Sequence, residues 1–407
     1  MPEKYTENKE RVILHCDCNA FFASAESIDH PEYRTVPMIV AGDPKARHGI
    51  VLAKNELAKK YGIVTAETIG SAKRKCPDLL VVAPHYELYS KISRKINAIY
   101  LQYTDQVEPF SVDESWLDVT ASLKLFGSGK EIADTLRKRV AEETGVTISV
   151  GVSFNKTFAK MGSDYKKPDA TTVITRENYK ELLWPLPVEN MMFVGKSSAQ
   201  MFRDRGIKTI GDLARLDPAY IERIAGKPGK DLWEKVNGYD PSPVAHYDDE
   251  YEAKSISHMV TFDHDLREEE EIRAGLLQMA DDVGTRLRKK GGYAFTVYVQ
   301  WKDPDLKLRQ RQRKLANPTN LTKEIYETSY CLLREIHRTG MPIRMLTVGV
   351  RDFTDEQVSQ ANLFEDITRD EKQEQLEAAM DKIRNRFGKD VIRFARTRKK
   401  EDKPDEV

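Results

Sequence analysis

The feature that most restricts the fold is an order of elements that occurs twice. Val12-Ile13-Leu14-His15-Cys16-Asp17 is an apolar run ending in a carboxylate, and Asn19 to Glu26 follows with helical spacing. That pattern reads as a strand delivering an acid to a sheet edge, with a helix close behind. Val107 to Val112 then leads into Asp113-Glu114, and Ser115 to Val119 alternates as a returning strand, a hairpin-like pattern with the acids near its bend. Lys130 to Glu143 has helical spacing, and Val146 to Val152 reads as a buried strand. The order is β, α, β, β, α, β, with a long insertion after the first helix, and it is the ferredoxin-like order. It recurs as Ser255 to Phe262, Glu268 to Lys289, Tyr293 to Trp301, Leu306 to Leu315, Leu321 to His337 and Ile343 to Phe353, with no sequence repeat between the copies.

A chain of 407 residues has room for roughly two to four domains, so both copies and further cores fit. The insertion holds a short strand, Met38 to Ala41, a loop from Gly42 to Gly49 and a helix from about Asn55 to Tyr61. Leu182 to Asp240 is helical and short-looped. Two small-residue turns there, Val194 to Ser198 and Ala225 to Lys230, lead into helices and can present N–H groups to a phosphate. Asp240 to Glu252 is turn-rich and acidic, as in an exposed linker. The tail after Phe353 carries a polar loop, a charged helix from about Arg369 to Phe387 and a Lys/Glu/Asp end. No apolar run approaches the ~18 residues that cross a bilayer, and the polar N-terminus has no signal-peptide core. Four cysteines, Cys16, Cys18, Cys76 and Cys331, are too few for a disulfide scaffold, so a cytoplasmic protein is expected.

If Asp17 ends one strand and Asp113-Glu114 lie on its neighbour, three carboxylates converge at one end of a sheet. Carboxylates that close repel unless a cation screens them, and oxygen-only ligands select Mg²⁺ or Mn²⁺ over zinc. Two such ions are the usual clamp for in-line phosphoryl or nucleotidyl transfer. A lone acidic pair at a bend is more often a solvated turn; the strand-ending Asp17 and the sheet order shift that balance. Cys16 and Cys18 share a strand face, but no second Cys or His pair is spaced to complete a zinc site. His15 reads as a sheet residue.

Asp17 to Glu26, together with Ser111 to Asp118, resembles the two catalytic motifs of the Y-family translesion DNA polymerases, most closely the bacterial polymerase IV type. The likeness continues through Gly49 to Gly62 and Val150 to Pro168 and spans roughly residues 10 to 365. It implies an α+β multidomain fold: a ferredoxin-like palm (1–20 and 85–174), fingers (21–84), a helical thumb with helix-hairpin-helix-like turns (175–240), a linker (241–253), a second βαββαβ unit called the little finger (254–353) and a tail (354–407). By the resemblance, Asp17, Asp113, Glu114 and the Cys18 main-chain carbonyl hold two Mg²⁺, which Mn²⁺ can replace. Phe22 is the aromatic gate that excludes a ribose 2′-hydroxyl by collision. Asn19, Phe21, Lys59 and Lys167 lie at the nucleotide. Three departures bear on the phosphate site: Lys59 stands for the common arginine and lacks its bidentate fork, Glu56 for a tyrosine, and Asn19 for the commoner second aspartate. Phe193 replaces a glycine in the first thumb turn.

Equal numbers of Lys+Arg and Asp+Glu, 65 each, argue against DNA only as a total. From Arg286 to Lys314 ten cations face Asp303 and Asp305, and Lys307, Arg309, Arg311 and Arg313 share one strand face at about 6.6 Å spacing. That face can track primer–template phosphates without reading bases. Gln360-Ala361-Asn362-Leu363-Phe364 resembles the peptide by which bacterial polymerases dock on the sliding clamp, with Gln360, Leu363 and Phe364 as its anchors. The expectation is a monomeric DNA-directed DNA polymerase using deoxynucleoside triphosphates, with translesion synthesis and low fidelity implied by the family. A nucleotidyl cyclase on the same sheet order needs neither the basic strand nor the clamp peptide. A DNA-binding protein without catalysis accounts for Asn19, Glu56 and Lys59 but not for the intact acid triad.

Overall fold

The computed structural model describes residues 10–43, 49–249, 252–355 and 367–395. Its strands are β1 (Ile13–Cys18), β2 (Met38–Ala41), β3 (Val51–Lys54), β4 (Leu80–Val82), β5 (Val107–Pro109), β6 (Glu114–Asp118), β7 (Ile148–Ser153), β8 (Thr171–Ile174), β9 (Ser255–Leu266), β10 (Tyr293–Lys302), β11 (Leu308–Thr319) and β12 (Ile343–Thr354). Two units divide the chain, Met1–Glu250 and Tyr251–Val407.

The first unit is built on the sheet β5-β6-β1-β7-β8, in which β1 runs antiparallel to both β6 and β7. Both faces of β1 are covered, so period-two alternation sends its side chains into two environments. Leu14, Cys16 and Cys18 enter a core with the helices Tyr86–Tyr100 and Gly129–Thr144. Ile13 packs with Trp116 and Ala159 on the opposite face, where the helix Lys156–Tyr165 lies. That helix sits against the strand because two glycines permit it: a Cβ on Gly151 would lie 1.9 Å from the Ala159 carbonyl oxygen, and one on Gly162 would lie 2.9 Å from the Gly151 Cα. Helix Gly129–Thr144 is delimited by a Ser128–Glu131 capping box and by Gly145 at φ 73°.

The insertion forms its own small sheet, β3-β2-β4, over a core of Ile39, Val51, Ala58, Ile63 and Ile69. A third core gathers Leu183, Phe202, Ile210, Leu213, Ile221 and Val236 from the helical segment that follows β8. Both of its turns use positive φ, at Phe193 (71°) and at Gly226 (66°), the latter a kink inside Pro218–Val236. The stretch after it departs from the expectation of an exposed linker. Asp240 is buried and its Oδ2 accepts from the Thr157 amide (3.1 Å) and hydroxyl (2.6 Å). Arg11 donates to the Asp240 and Ser242 carbonyls, both at 2.8 Å, and Val244 is buried. Residues 240 to 245 are therefore strapped to the palm sheet, because the acid that looked solvent-bound in sequence has buried donors to satisfy.

The second unit keeps the same element order but pairs its strands as β11-β10-β12-β9. In the first sheet the third strand of the motif, β6, lies beside the first; here the second strand, β10, lies beside the fourth. Element order alone leaves open which member of the central hairpin sits inside. The result places the basic strand β11 at the edge. Helices Glu269–Lys289 and Thr322–Ile336 cover one face over Val297, Val299, Trp301, Leu346 and Val348. Helix Ile367–Phe387 docks on the first of these through buried ion pairs: Arg288 binds Glu377 and Asp381 (Nε to Oδ2 2.7 Å), and Arg384 binds Asp281 at 2.9 Å. Among the described residues no helix is long and apolar enough to cross a membrane.

Candidate active site

Asp17 and Glu114 face each other in register across β1 and β6, on the face that carries helix Lys156–Tyr165. The Cys18 amide donates to the Asp113 carbonyl at 3.0 Å, which fixes Asp113 beside them. Sheet pairing alone thus brings together the three acids singled out in the sequence, from positions 96 residues apart and more.

Their charges are managed by two lysines. Lys167 Nζ lies 2.7 Å from both Asp17 Oδ2 and Asp164 Oδ1. Lys160 Nζ lies 3.0 Å from Glu114 Oε1, 3.7 Å from Asp17 Oδ2 and 3.6 Å from Asp164. Burial, opposed by Lys167, still pushes the Asp17 carboxyl up to about 7, with Glu114 adding to the rise. Asp113 is also raised by burial, against the Ser111 hydroxyl that donates to its Oδ1 at 2.6 Å. Burial also disfavours charge on Glu114, yet the His15 imidazole and the Lys160 ammonium hold its carboxyl well below the usual carboxylate range.

Among the described residues no three His, Cys, Asp or Glu side chains are gathered at metal distance. The donor chemistry nonetheless fits a hard divalent cation: all three side chains offer oxygen, and Asp17 is a buried carboxyl whose ionisation an added cation favours. A soft metal is not supported. Cys16 and Cys18 are free and buried, and burial pushes the Cys16 thiol up to about 12.

His15 is fully buried, with Nδ1 2.8 Å from Ser163 Oγ and its ring edge-on to Trp116. Desolvation lowers its pKa to about 4, so it is a neutral member of the sheet at physiological pH. Asn19 spends its amide on the protein. It donates to Ser149 (2.8 Å) and accepts from Thr147 (3.1 Å) and the Asp169 amide (2.9 Å), so it anchors the turn carrying Lys167. Phe21 is core, 3 % exposed. Phe22 is only partly buried, and its ring stacks on Tyr89 with centroids 4.1 Å apart and planes 11° apart. Lys59 is exposed on the Glu56–Lys60 helix and pairs with Glu56 at 3.5 Å. Lys160 escaped the sequence reading. Its i,i+4 spacing puts it on one helix face with Asp164, but nothing in the sequence ties that face to Glu114, 46 residues away.

In the second unit, Arg309, Arg311 and Arg313 sit opposite Trp301, Val299 and Val297, so they share the helix-bearing face at the sheet edge. They are not bare cations. Arg309 lies over the Trp301 ring and 3.1 Å from Asp303, while Arg311 (3.0 Å) and Arg313 both bind Glu335. Lys307 precedes the strand, and its amide donates to Asp303. The helix-free face is polar, with a concavity lined by Tyr298, Gln300, Gln310, Gln312 and Arg351. Gln360, Leu363 and Phe364 lie outside the described residues.

Residues 16–164 match the impB/mucB/samB family and residues 253–363 its C-terminal domain. A protein of Acetivibrio thermocellus named DNA polymerase IV is 45% identical over 380 residues, 93% of this chain and 95% of its own. The chain belongs to the Y-family DNA polymerases. Within that family, DNA polymerase IV 2 of Bacillus subtilis is 38% identical to it over 94% of both chains. A solved Y-family DNA polymerase chimera shares the fold, with TM-score 0.75 and 23% identity, covering 85% of this Y-family chain and all of its own.

Proposed function

We propose that this chain is a template-directed DNA polymerase that adds deoxynucleotides to a primer 3′-hydroxyl, at low fidelity and past damaged bases, with Asp17, Asp113 and Glu114 as its catalytic carboxylates. The observation that carries the assignment is the registered pair Asp17–Glu114 with Asp113 beside it, in a chain of this family. The three carboxylates, with the Cys18 carbonyl, would hold two Mg²⁺ ions, and Mn²⁺ would serve in their place. When bound, such ions supply positive charge to the attacking and leaving oxygens of nucleotidyl transfer. Lys167 belongs to the same site as a phosphate ligand: it is already paired with Asp17 and is held in place by a turn that Asn19 anchors. Lys59 is a weaker candidate for the triphosphate, since Glu56 competes for its charge. Phe22 would lie under the sugar as the gate.

For DNA, the edge strand β11 offers Arg311 and Arg313, whose shared partner Glu335 a phosphate can replace, together with Arg309 and Lys307. Gln360, Leu363 and Phe364 would dock the enzyme, acting as a monomer in the cytoplasm, on a sliding clamp. Primer extension tests the whole reading: wild type adds nucleotides with Mg²⁺, and Asp113→Ala loses at least a thousandfold in rate while keeping its circular dichroism spectrum. No extension by wild type with either metal at low salt would sink it.

A further inference from the structure

The gate residue Phe22 does not stand on the apolar core alone. Its ring lies flat on Tyr89, and Tyr86 approaches both rings edge-on, at centroid distances of 6.1 and 5.9 Å. A stacked aromatic can slide in its plane unless something fixes the lower ring, because dispersion contacts are weakly directional. Here the lower ring is fixed through its hydroxyl. Tyr89 Oη accepts the His85 backbone amide at 3.0 Å and donates to Glu26 Oε1. Glu26 is 3 % exposed, lies one helical turn beyond Phe22 on Phe21–Asp29, and takes a second contact from His85 Nδ1 at 2.9 and 3.0 Å. Burial and the adjacent carboxylate keep the Tyr89 phenol protonated, so the donor is always present. A carboxylate this deep is costly unless its hydrogen bonds are made, and its contacts with Tyr89 and His85 both end on the Tyr86–Tyr100 helix or its cap.

We infer that Glu26 is a positioning residue for sugar selection: its buried carboxylate locks the Tyr89 hydroxyl, and the locked Tyr89 ring sets the height and tilt of Phe22 against the deoxyribose. The inference rests on the reading of Phe22 as the gate. Glu26 touches neither nucleotide nor metal; it acts through two rings. The charge-assisted bond makes the support stiff, and stiffness is what an exclusion by collision needs, since a gate that yields by a few tenths of an ångström admits a hydroxyl.

The test measures kcat/KM for one deoxynucleotide and its ribonucleotide, in single-turnover primer extension, for wild type and four variants. Phe22→Ala should lose most sugar discrimination; wild-type discrimination there would refute the gate itself. Tyr89→Phe keeps the ring and removes only the hydroxyl, and it should lower discrimination about tenfold, equivalent to one charge-assisted hydrogen bond. Glu26→Leu should match Tyr89→Phe. Glu26→Gln, which retains a neutral acceptor oxygen for the phenol, should recover part of the loss. A role confined to stability would lower melting temperature in Glu26→Leu without changing the sugar ratio. If Phe22→Ala opens the gate while Tyr89→Phe keeps wild-type discrimination, the Glu26 inference is overturned and the gate assignment stands.

Discussion

At the level of single residues the site sets charge against stability. Asp17 is 5 % exposed, and burial pushes its carboxyl up to about 7 despite Lys167 at 2.7 Å. A carboxyl raised on folding stabilises the native state while both states are protonated, and that contribution is lost as pH rises through the folded value. The metal-free enzyme should therefore lose stability from Asp17 between about pH 4 and pH 7. Asp17→Asn should melt several degrees higher than wild type at pH 8 in a chelator, match it near pH 4, and catalyse no extension. Equal melting temperatures at pH 8 would mean that Lys160 and Lys167 fully compensate the buried charge. The acids themselves were legible in the sequence because a carboxylate closing an apolar strand contradicts its surroundings. Lys160, Glu26 and the engaged amide of Asn19 were not, since their partners are 46, 63 and 150 residues away.

Among elements, one close contact positions the site. Helix Lys156–Tyr165 reaches the carboxylates only because Gly151 and Gly162 let its backbone touch β7. Gly151→Ala puts a methyl group into the Ala159 carbonyl, with backbone atoms on every side, so the helix must move away. Lys160 and Lys167 would move with it. The expected outcome is a loss of about 2 to 4 kcal/mol in urea unfolding and a fall in extension that extra Mg²⁺ does not restore. Wild-type stability would show that this packing is looser than the geometry states. Helix Ile367–Phe387 gives a second case. Arg288→Met leaves Glu377 buried and unpaired, at about 3 to 5 kcal/mol. The same substitution in a chain ending at residue 355 should cost much less, because the stranded carboxylates are gone. Sequence periodicity located the strands of both βαββαβ units and the helices Gly129–Thr144, Glu269–Lys289, Thr322–Ile336 and Ile367–Phe387, but neither Tyr86–Tyr100 nor Lys156–Tyr165. It did not reveal the strand order β11-β10-β12-β9, because pairing is decided by which hydrophobic faces meet and not by element order.

For the whole molecule, zero net charge conceals the distribution that decides DNA binding. A polymerase with a modest grip gains from a tether, because a clamp raises the effective concentration of primer ends without new DNA contacts. Deleting Gln360 to Phe364 should abolish clamp stimulation of extension while leaving clamp-free extension intact. The grip itself is set by local neutralisation. Arg311 and Arg313 share one carboxylate, Glu335, so part of the apparent surplus on β11 is cancelled before DNA arrives. A phosphate must displace that carboxylate, and the energy of displacement is subtracted from binding. Glu335→Gln removes the competitor and leaves both arginines in place. It should tighten primer–template binding severalfold at low salt and steepen its decline with salt. Replacing both arginines with alanine should weaken binding and reduce the slope of log affinity against log salt by about 2. If Glu335→Gln leaves affinity unchanged at low salt, Arg311 and Arg313 belong to the internal architecture of the second unit, and its DNA contacts must be sought on the polar, helix-free face around Tyr298 and Arg351.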